Sequence, residues 1–488
     1  MRILFINPAM EKYTRQVSFP LGMMSIATYL NHNGHTAKII DRTIKTTDIN
    51  KELSDFRPDI VGLSVFSLKS FTDAQKVSVA AKQYGAKVVW GGVFASLDCE
   101  FVFKNIDIDY ISVGEGEETW LELCNTLEEG GNFKEVAGLS YKEDSKVLFT
   151  AEREFMDLSL LPPVDFTLID TNKYLGPMYG CKKTALLYIS KGCYGSCTFC
   201  FNTQFHKRCH RCKPMSVFLE EAEYLIKNHG VDCIYFADEL WGRNKEEVRY
   251  LCNEIINSGL KFSWVAQTRA GYFDKEEYFL MKKAGCIALD FGIESGSPTM
   301  LKTIKKNIPY DRICETFEYC NQAGIISLAN FIIGFPDETE QQLRETVEMA
   351  KKINSTQQTF FFFMPGPGSE LYEKLINEGR YTPPATFRDY TNIKFFYSPE
   401  PNFSKVPAKE LKAIRAYFLW KGFSKKHFSS SARKYDIAKK DIEDVLRQFK
   451  GHDLKFALQL FISSVYEFSD IFLYAHCFPS ILKKYNLK

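Results

Sequence analysis

Long uncharged hydrophobic runs are missing from this sequence of 488 residues. No uncharged apolar stretch reaches the roughly 18 residues that a helix needs to cross a bilayer, so we expect no membrane span. The chain opens on Met1-Arg2 and a short apolar run that predicts a strand, and this start does not resemble a secretory signal. The sequence therefore predicts a cytoplasmic protein.

The sequence also lacks a large excess of positive or negative residues, since it contains 62 Lys and Arg and 60 Asp and Glu. This balance argues against a protein that binds nucleic acid over its whole surface. The 14 cysteines are too few for a disulfide scaffold of this length. The chain is nevertheless long enough for two or three domains with cores of their own.

Three of the cysteines stand close together in a loop rich in small residues. Cys193, Cys197 and Cys200 have first three and then two residues between them, and they follow the apolar run 185–189. Short spacings of this kind let one loop supply several thiolates to an iron–sulfur cluster. Three ligands for four irons leave one iron open to a small molecule. A zinc knuckle is the alternative, but its ligands usually come as two separated pairs.

Short apolar runs alternate with helical patterns in two parts of the chain. The alternation from residue 1 to about 130 predicts a doubly wound parallel sheet, and six strand–helix units from about 181 to 375 predict a partial parallel barrel. Between them we expect a linker with a hairpin and a Pro-rich turn, and beyond them a helical region. The predicted boundaries are 1–135, 136–180, 181–380 and 381–488.

Both predicted sheets gather small or polar residues where their strands end. In the first part these are Asn7-Pro8, Ser64, Gly91-Gly92 and Gly114-Glu115. In the second part they are Asp238-Glu239, Gln267, Arg269, Glu294-Ser295 and Ile333-Gly334. Ligands of parallel α/β sheets bind at the carboxyl ends of strands. Each half is therefore expected to carry a ligand site at that edge.

The triplet, with the aromatic Phe199 before its last cysteine, resembles the signature of the radical S-adenosylmethionine (SAM) enzymes. The small residues at the first set of strand ends resemble the cobalamin-binding domain of the cobalamin-dependent members. The resemblance implies a [4Fe-4S] cluster on Cys193, Cys197 and Cys200, with SAM bound to the open iron and cobalamin held by the first sheet. It covers roughly three-quarters of the chain, and the C-terminal region carries no motif.

The resemblance also carries roles to individual positions, which we state as expectations. SAM contacts are expected from Phe199, Asp238, Glu239, Gln267, Arg269, Glu294, Ser295, Ile333 and Gly334. Cobalamin contacts are expected from Asn7, Pro8, Leu21, Ser64, Val65, Gly91, Gly92, Gly114 and Glu115. No catalytic residue is assigned. The loop after the first strand, residues 9–19, has no histidine, so cobalt is expected to lack a protein imidazole beneath it; His32 and His35 read as loop histidines.

The segment after the triplet contains Cys209, Cys212 and two histidines, which suggests a metal or redox site. We favour the alternative that it is a basic segment. Arg208 and Arg211 would then offset cluster charge or hold a substrate carboxylate.

The C-terminal region is basic and aromatic. Residues 404–450 hold 13 Lys and Arg against five Asp and Glu, and 408–421 and 436–449 have helical spacing. With the aromatic stretch 456–482, these helices could lie on a membrane surface or cover the barrel, and we favour a lid. An aromatic lid would suit a large apolar substrate such as a lipid or a tetrapyrrole.

The resemblance implies methylation of an unactivated carbon, with methylcobalamin as the methyl carrier and a 5′-deoxyadenosyl radical that abstracts hydrogen. An electron donor such as flavodoxin or ferredoxin would reduce the cluster. The alternative is a cyclase, oxidase or rearrangement enzyme with the same cofactors, resembling the anaerobic magnesium-protoporphyrin ester cyclase. A sensor of cobalamin or metal without turnover is the third hypothesis.

Overall fold

The computed structural model describes residues 1–10, 18–65, 70–393, 398–428 and 478–487. Two seven-stranded sheets organise this part of the chain. The strands of the first sheet are β1 (Arg2–Asn7), β2 (Thr36–Asp41), β3 (Ile60–Ser64), β4 (Lys87–Gly91), β5 (Tyr110–Ser112), β6 (Leu139–Glu143) and β7 (Lys146–Phe149). The helices among them are α1 (Leu21–His32), α2 (Ile49–Phe56), α3 (Phe71–Tyr84), α4 (Val93–Leu97), α5 (Cys99–Asn105) and α6 (Glu117–Glu129).

The first sheet has the order β2-β1-β3-β4-β5-β6-β7, and its first five strands are parallel. In β1 the run from Ile3 to Ile6 is buried on both faces, because helices cover both sides of the sheet. A continuous apolar run is typical of strands in such parallel sheets. The predicted doubly wound sheet is confirmed.

The hairpin expected in the linker belongs to the first sheet. β6 pairs antiparallel with β5, and β7 pairs antiparallel with β6. Strands β6 and β7 therefore extend the sheet at one edge, and the segment that crosses to the second sheet begins after Phe149. The alternation of the two strands predicts a hairpin, but it does not say which sheet the hairpin joins.

The second sheet is built from β8 (Gly176–Met178), β9 (Cys181–Leu187), β12 (Cys233–Phe236), β13 (Ser263–Thr268), β14 (Cys286–Glu294), β15 (Ile326–Ile333) and β16 (Gln357–Phe362). A two-stranded ribbon, β10 (Ser190–Lys191) and β11 (Arg211–Cys212), follows β9. The described helices that follow along the chain are α7 (Asn202–Phe205), α8 (Met215–His229), α9 (Lys245–Asn257), α10 (Lys275–Lys283), α11 (Pro298–Thr303), α12 (Tyr310–Ala323), α13 (Glu340–Lys352), α14 (Glu370–Asn377), α15 (Phe387–Asn392), α16 (Ala408–Phe428) and α17 (Pro479–Lys484). Of these, α15 packs against the core of the first domain, where Phe387 and Tyr390 are buried.

All six predicted barrel strands are present and parallel, in the order β9-β12-β13-β14-β15-β16. Their side chains alternate between two faces. Phe236, Trp264 and Phe291 point to the side covered by helices, where the main core lies. Cys233, Val265 and Ala288 form a smaller apolar cluster on the other, concave face.

The open edge strand β16 is covered by α16. Phe418 stacks on Phe360 with ring centroids 4.4 Å apart, and Leu411 is fully buried. This helix includes the predicted helical stretch 408–421, whereas the predicted helix 436–449 and residues 456–477 of the aromatic stretch lie outside the described residues. Among the helices that the structure describes, none is long and apolar enough to cross a membrane.

Candidate active site

The cysteine loop lies at the carboxyl end of β9, between β10 and α7. Its centre is fixed from two sides, because the Thr198 N–H donates to the Ile304 carbonyl (3.1 Å) and the Thr198 carbonyl accepts from the Leu371 N–H (2.9 Å). Gly192 has a φ of +85°, and a Cβ there would lie 2.0 Å from the Cys209 carbonyl oxygen. Only glycine therefore fits the start of this loop.

The three thiols of the loop suit an iron–sulfur cluster. A Cβ at Gly195 would lie 3.3 Å from the Cys193 sulfur and 3.9 Å from the Cys197 sulfur, so both sulfurs lie beside this glycine. Burial raises the pKa of the Cys200 thiol to about 12, while the ammonium of Lys306 favours the thiolate. Cationic groups offset the negative charge that three thiolates would bring to a bound cluster. The geometry and charge of the loop thus fit the cofactor.

Asp238 is held inside the protein at the end of β12. Its carboxylate accepts hydrogen bonds from the Ser190 N–H (2.6 Å), from the Ser190 hydroxyl and from the Ile189 N–H (3.3 Å). The residue is 2% exposed, and burial raises its pKa to about 7. Asp238 therefore anchors the strand that leads into the cysteine loop, and its contact with SAM stays a prediction.

Glu239, its neighbour, reaches the cysteine loop itself. One carboxylate oxygen accepts the Gly192 N–H at 2.9 Å, and the other lies 3.3 Å from His206 Nε2. Burial alone would raise the pKa of Glu239, but His206 and the N–H of Gly192 bring it below the usual value. The side chain keeps 31% of its surface exposed, so an ionised carboxylate faces open space beside the thiols.

Glu294 ends β14 in a strained conformation with a φ of +67°. Its carboxylate pairs with the Lys306 ammonium at 2.7 Å, and both side chains are almost buried. A Cβ at Gly292 would lie 2.3 Å from this carboxylate, so glycine makes room for the ion pair. The adjacent Ser295 is fully buried, and its hydroxyl is hydrogen-bonded to Thr346 at 2.9 Å. Ser295 therefore braces the turn, and its contact with SAM stays a prediction.

The turn after β15 is closed by a residue that the sequence analysis did not select. The Gly334 N–H donates to the Glu338 carboxylate at 2.6 Å, and burial raises the pKa of Glu338 to about 8. Ile333 is fully buried. Phe335, in this turn, packs on Phe199 of the cysteine loop with centroids 5.7 Å apart. The turn that holds Ile333 and Gly334, two of the predicted SAM contacts, therefore lies beside the loop.

The concave face of the second sheet carries a polar layer above its apolar cluster. Gln267 donates to the Tyr235 hydroxyl at 2.8 Å, and Asn330 donates to Asp290 at 2.5 Å. Burial raises the pKa of Asp290 to about 6. Arg269, at the end of β13, lies with its guanidinium over the Tyr272 ring, 5.2 Å from the centroid. This layer can hydrogen-bond to SAM or to a substrate.

The predicted cobalamin edge is built by backbone contacts. Ser64 and Gly91 are direct register partners on β3 and β4, and the Val65 N–H donates to the Gly91 carbonyl at 2.8 Å. Gly92 has a φ of +91°, and a Cβ there would lie 3.2 Å from the Val65 backbone. Ser96, which the sequence analysis missed, accepts the Gly114 N–H at 3.0 Å and so links this loop to the next one. The small residues fit a ligand that approaches the backbone closely.

The other predicted cobalamin residues lie at the end of β1 and the start of α1. Pro8 is buried, the half-buried Asn7 donates to Asp41 at 3.0 Å, and half-buried Leu21 begins α1. His32 and His35 lie at the opposite, amino-terminal end of β2, where His35 contacts Asn125 at 3.0 Å. Residues 11–17 and 66–69, which adjoin this edge, are outside the described residues.

The loop after β5 connects the two sheets through ion pairs. Glu115 contacts the guanidinium of Arg211, and Glu117 contacts the ammonium of Lys191 at 2.8 Å. His206 lies 3.7 Å from Glu115 on this side. Burial would raise the pKa of Glu115, but His206, Lys191 and Arg211 bring it down to about 2. The two edges therefore face each other across a charged contact.

Two predicted ligand residues take part in this contact. Glu115 has the cations of the cysteine segment as partners, and its predicted role with cobalamin stays a prediction. Arg211 contacts Glu115 and donates to the Met156 carbonyl at 2.6 Å, and its predicted role with a substrate carboxylate stays a prediction. Arg208 donates to the Tyr194 carbonyl at 3.3 Å in an exposed position. Its contact with a substrate stays a prediction.

Known protein families match both the first and the second half of the described fold. Residues 187–350 match the Radical SAM superfamily, and residues 13–123 match the B12 binding domain. The chain is 32% identical to an uncharacterized methyltransferase of Pyrococcus horikoshii over 80% of this chain and 87% of that protein. It is 26% identical to the anaerobic magnesium-protoporphyrin IX monomethyl ester cyclase of Rubrivivax gelatinosus, over 89% and 81% of the two chains.

A solved structure has the same fold. The radical S-adenosylmethionine methyltransferase TsrM of Kitasatospora setae superposes with a TM-score of 0.66 at 17% identity, covering 77% of this chain and 75% of that one. The fold and the site together define a radical SAM enzyme with a B12-binding domain. The chain belongs to the cobalamin-dependent radical SAM enzymes, and its cofactors are a [4Fe-4S] cluster, SAM and cobalamin.

Proposed function

We propose that this enzyme transfers a methyl group to an unactivated carbon of a small-molecule substrate. One observation carries the proposal: the edge of the first sheet that fits cobalamin faces the loop that fits the cluster. Lys191, Arg211 and His206 join the two edges through Glu115 and Glu117. When bound, cobalamin would supply the methyl group, and SAM on the cluster would supply the radical that removes a substrate hydrogen.

The chain's own residues support this chemistry by holding two sites in one orientation. Leu97 of α4 would meet a Cβ at Gly368 at 2.7 Å, so the loop after β4 lies tightly against the end of the barrel. Glu239 and the Glu294–Lys306 pair place charge beside the thiols. A fixed geometry is what a transfer between two bound groups needs, because small displacements cost large factors in rate.

The substrate is proposed to present a hydrogen-bonding group to the concave face. The layer formed by Tyr235, Gln267, Asp290 and Asn330 is polar, so the part of the substrate that enters the barrel would not be purely hydrocarbon. A lipid with a polar head and a tetrapyrrole with carboxyl groups both meet this condition. An electron donor of the flavodoxin or ferredoxin kind is proposed on chemical grounds, because the cluster must be reduced.

Methyl-labelled SAM tests the proposal. The reconstituted enzyme, with cobalamin and a strong reductant, is incubated with metabolite extract from a deletion strain. Methylation predicts label in a new product, with S-adenosylhomocysteine and 5′-deoxyadenosine formed in about equal amounts. The matched control is Cys193→Ala, which should give neither 5′-deoxyadenosine nor labelled product.

The similarity to the ester cyclase supports a second candidate with the same cofactors. A cyclase, oxidase or rearrangement enzyme would form 5′-deoxyadenosine and change the substrate without retaining the label. A sensor would form no 5′-deoxyadenosine at all. The same experiment therefore separates the three hypotheses.

A further inference from the structure

A second cluster of metal-binding side chains lies next to the cysteine loop and outside the proposed chemistry. It consists of His210, Cys212 and Glu247, whose ligand atoms all lie within 4.8 Å of one another. Two come from the segment after the triplet, and the third comes from α9, 35 residues further along the chain. The sequence suggests a metal here with Cys209, Cys212 and the two nearby histidines, but nothing in it connects Glu247 to them.

His210 is oriented as a metal ligand would be. Its Nε2 lies 3.2 Å from the carbonyl oxygen of Leu240. A carbonyl only accepts, so Nε2 carries the proton and Nδ1 is left with a free lone pair. Nδ1 is buried and finds no hydrogen-bond partner in the described part of the chain. Metal-bound histidines commonly donate their other N–H to a carbonyl in this way, which fixes the ring.

The other two side chains are placed by regular structure. Cys212 is on β11, where it is the register partner of Ser190 on β10, and the residue is exposed to solvent. Glu247 is in the first turn of α9, and one of its carboxylate oxygens accepts the Arg243 N–H at 3.0 Å. The remaining oxygen faces Arg243 Nε at 3.4 Å, which is a weak contact. A cation could use that oxygen and be reached from solvent.

We propose that His210, Cys212 and Glu247 bind one Zn²⁺ ion, with water as the fourth ligand. A thiolate, an imidazole and a carboxylate are the ligand types of zinc, and three protein ligands with one open position are a known arrangement. Such sets of mixed donors bind Zn²⁺ more tightly than Fe²⁺. The ion would tie β11 to α9 and so brace the segment that leads away from the cysteine loop.

Cys209 provides a matched control within the same motif. It belongs to the same Cys-x-x-Cys pattern, but it is not among the three grouped ligands. Its carbonyl oxygen lies against Gly192, and its N–H donates to the His206 carbonyl at 2.7 Å. A metal site of the usual Cys-x-x-Cys kind would need both cysteines, whereas the site proposed here needs only Cys212.

The test uses the full chain, purified without oxygen and with the iron–sulfur cluster reconstituted, so that the triplet is occupied. Metal content and Zn K-edge X-ray absorption are measured after a mild chelator wash. We expect about one Zn per chain, with one sulfur neighbour at about 2.3 Å and nitrogen or oxygen neighbours at about 2.0–2.1 Å. Cys212→Ser and His210→Ala should each lower Zn²⁺ affinity about tenfold or more, while Cys209→Ser should not.

Three results would overturn the assignment. The first is a zinc content far below one per chain in the wild type, and the second is equal zinc content in Cys212→Ser. The third is a zinc shell with three sulfur neighbours, which would mean that the ion is bound by the cysteine triplet. The wild-type spectrum by itself gives the number of sulfur neighbours, so a shell without the single sulfur overturns the assignment even where a variant fails to fold. Zinc content is measured without turnover, and its outcome is independent of whether the enzyme transfers methyl groups.

Discussion

The carboxyl ends of the two sheets differ in the groups that they offer to a ligand. On the first sheet, Ser64, Gly91 and Gly92 offer backbone and little else, and close approach is the main feature. On the second, Glu239, Glu294 and Lys306 offer charge in buried or half-buried places. A bulky corrin would be recognised through shape, whereas an anionic cluster and a zwitterionic nucleotide would be recognised through charge. Substitutions that change shape or charge should therefore affect the two edges differently.

The largest effect is expected from the cluster loop. Cys200→Ala removes one of three thiolates, so the [4Fe-4S] cluster should be lost and 5′-deoxyadenosine formation should fall to background. Cobalamin binding, which depends on the other sheet, should stay. Cluster loss is measured by iron and sulfide content and by the EPR signal of the reduced cluster. Cobalamin binding is measured by titration. Cys252→Ala, which changes a buried cysteine of α9 outside the cysteine loop, is the control for the loss of a thiol elsewhere in the protein.

The ion pair of the second edge gives the next largest effect. Glu294→Gln leaves the Lys306 ammonium buried without its partner, which should cost about 3–5 kcal/mol of folding stability. The double variant Glu294→Gln/Lys306→Met removes both charges and should recover most of that stability.

If Glu294 contacts SAM, neither variant should bind SAM normally in equilibrium dialysis, although only the single variant is unstable. Recovery of SAM affinity in the double variant would mean that Glu294 serves the fold alone. Chemical denaturation measures the free energy of unfolding of both variants.

Most of the fold could be predicted from the sequence, because helices and strands follow from periodicity and stop signals. Helical periodicity that stops at a glycine predicts helices over Met215–His229 and Tyr310–Ala323. The structure has α8 and α12 with these bounds, and each is followed by a Gly in the left-handed conformation. The place of the hairpin β6–β7 was not predictable, since strand pairing depends on contacts between distant segments. The aromatic stretch 456–477 stays a prediction.

Less of the site could be predicted, because position at a strand end does not say where a side chain points. Asp238 and Ser295 follow strands as a ligand-binding residue would, yet both are turned into the protein. Glu338 looks like a helix cap, but Thr339 caps α13 and Glu338 closes the Gly334 turn. Partners such as Glu247 with Cys212 are distant in sequence and become visible only in the fold.

The shape of the first edge is tested by Gly92→Ala. The new Cβ would lie 3.2 Å from the Val65 backbone and 3.3 Å from the Ser64 hydroxyl, so the loop must shift. We expect cobalamin affinity to fall about tenfold, which is about 1.4 kcal/mol, while iron content is unchanged.

Gly85→Ala is the control for a positive φ away from the cobalamin edge. Gly85 has a φ of +95°, and nothing lies within 4 Å of the added Cβ. Its ψ of 5° is in the left-handed helical region, where Ala costs about 1–2 kcal/mol, whereas the ψ of 173° at Gly92 is in a region that essentially only glycine adopts, so Gly92→Ala should lose more stability. Only Gly92→Ala should bind cobalamin weakly in a spectroscopic titration, and equal affinities would contradict the cobalamin edge proposed here.

The smallest effect is expected where the two edges meet, at His206. Burial would lower the pKa of His206, but Glu115 and Glu239 raise it above its usual value. A raised pKa stabilises the folded protein fully below the unfolded value of about 6.5, and this stability is lost as the pH rises through the folded value. His206→Gln should therefore destabilise the protein by about 1 kcal/mol near pH 6 and by less near pH 8.5. Thermal unfolding at both pH values measures the difference, with His35→Gln, inside the first domain, as the control. A loss that does not change with pH would mean that His206 joins the domains as a neutral ring, and that the contact between the two edges does not depend on its charge.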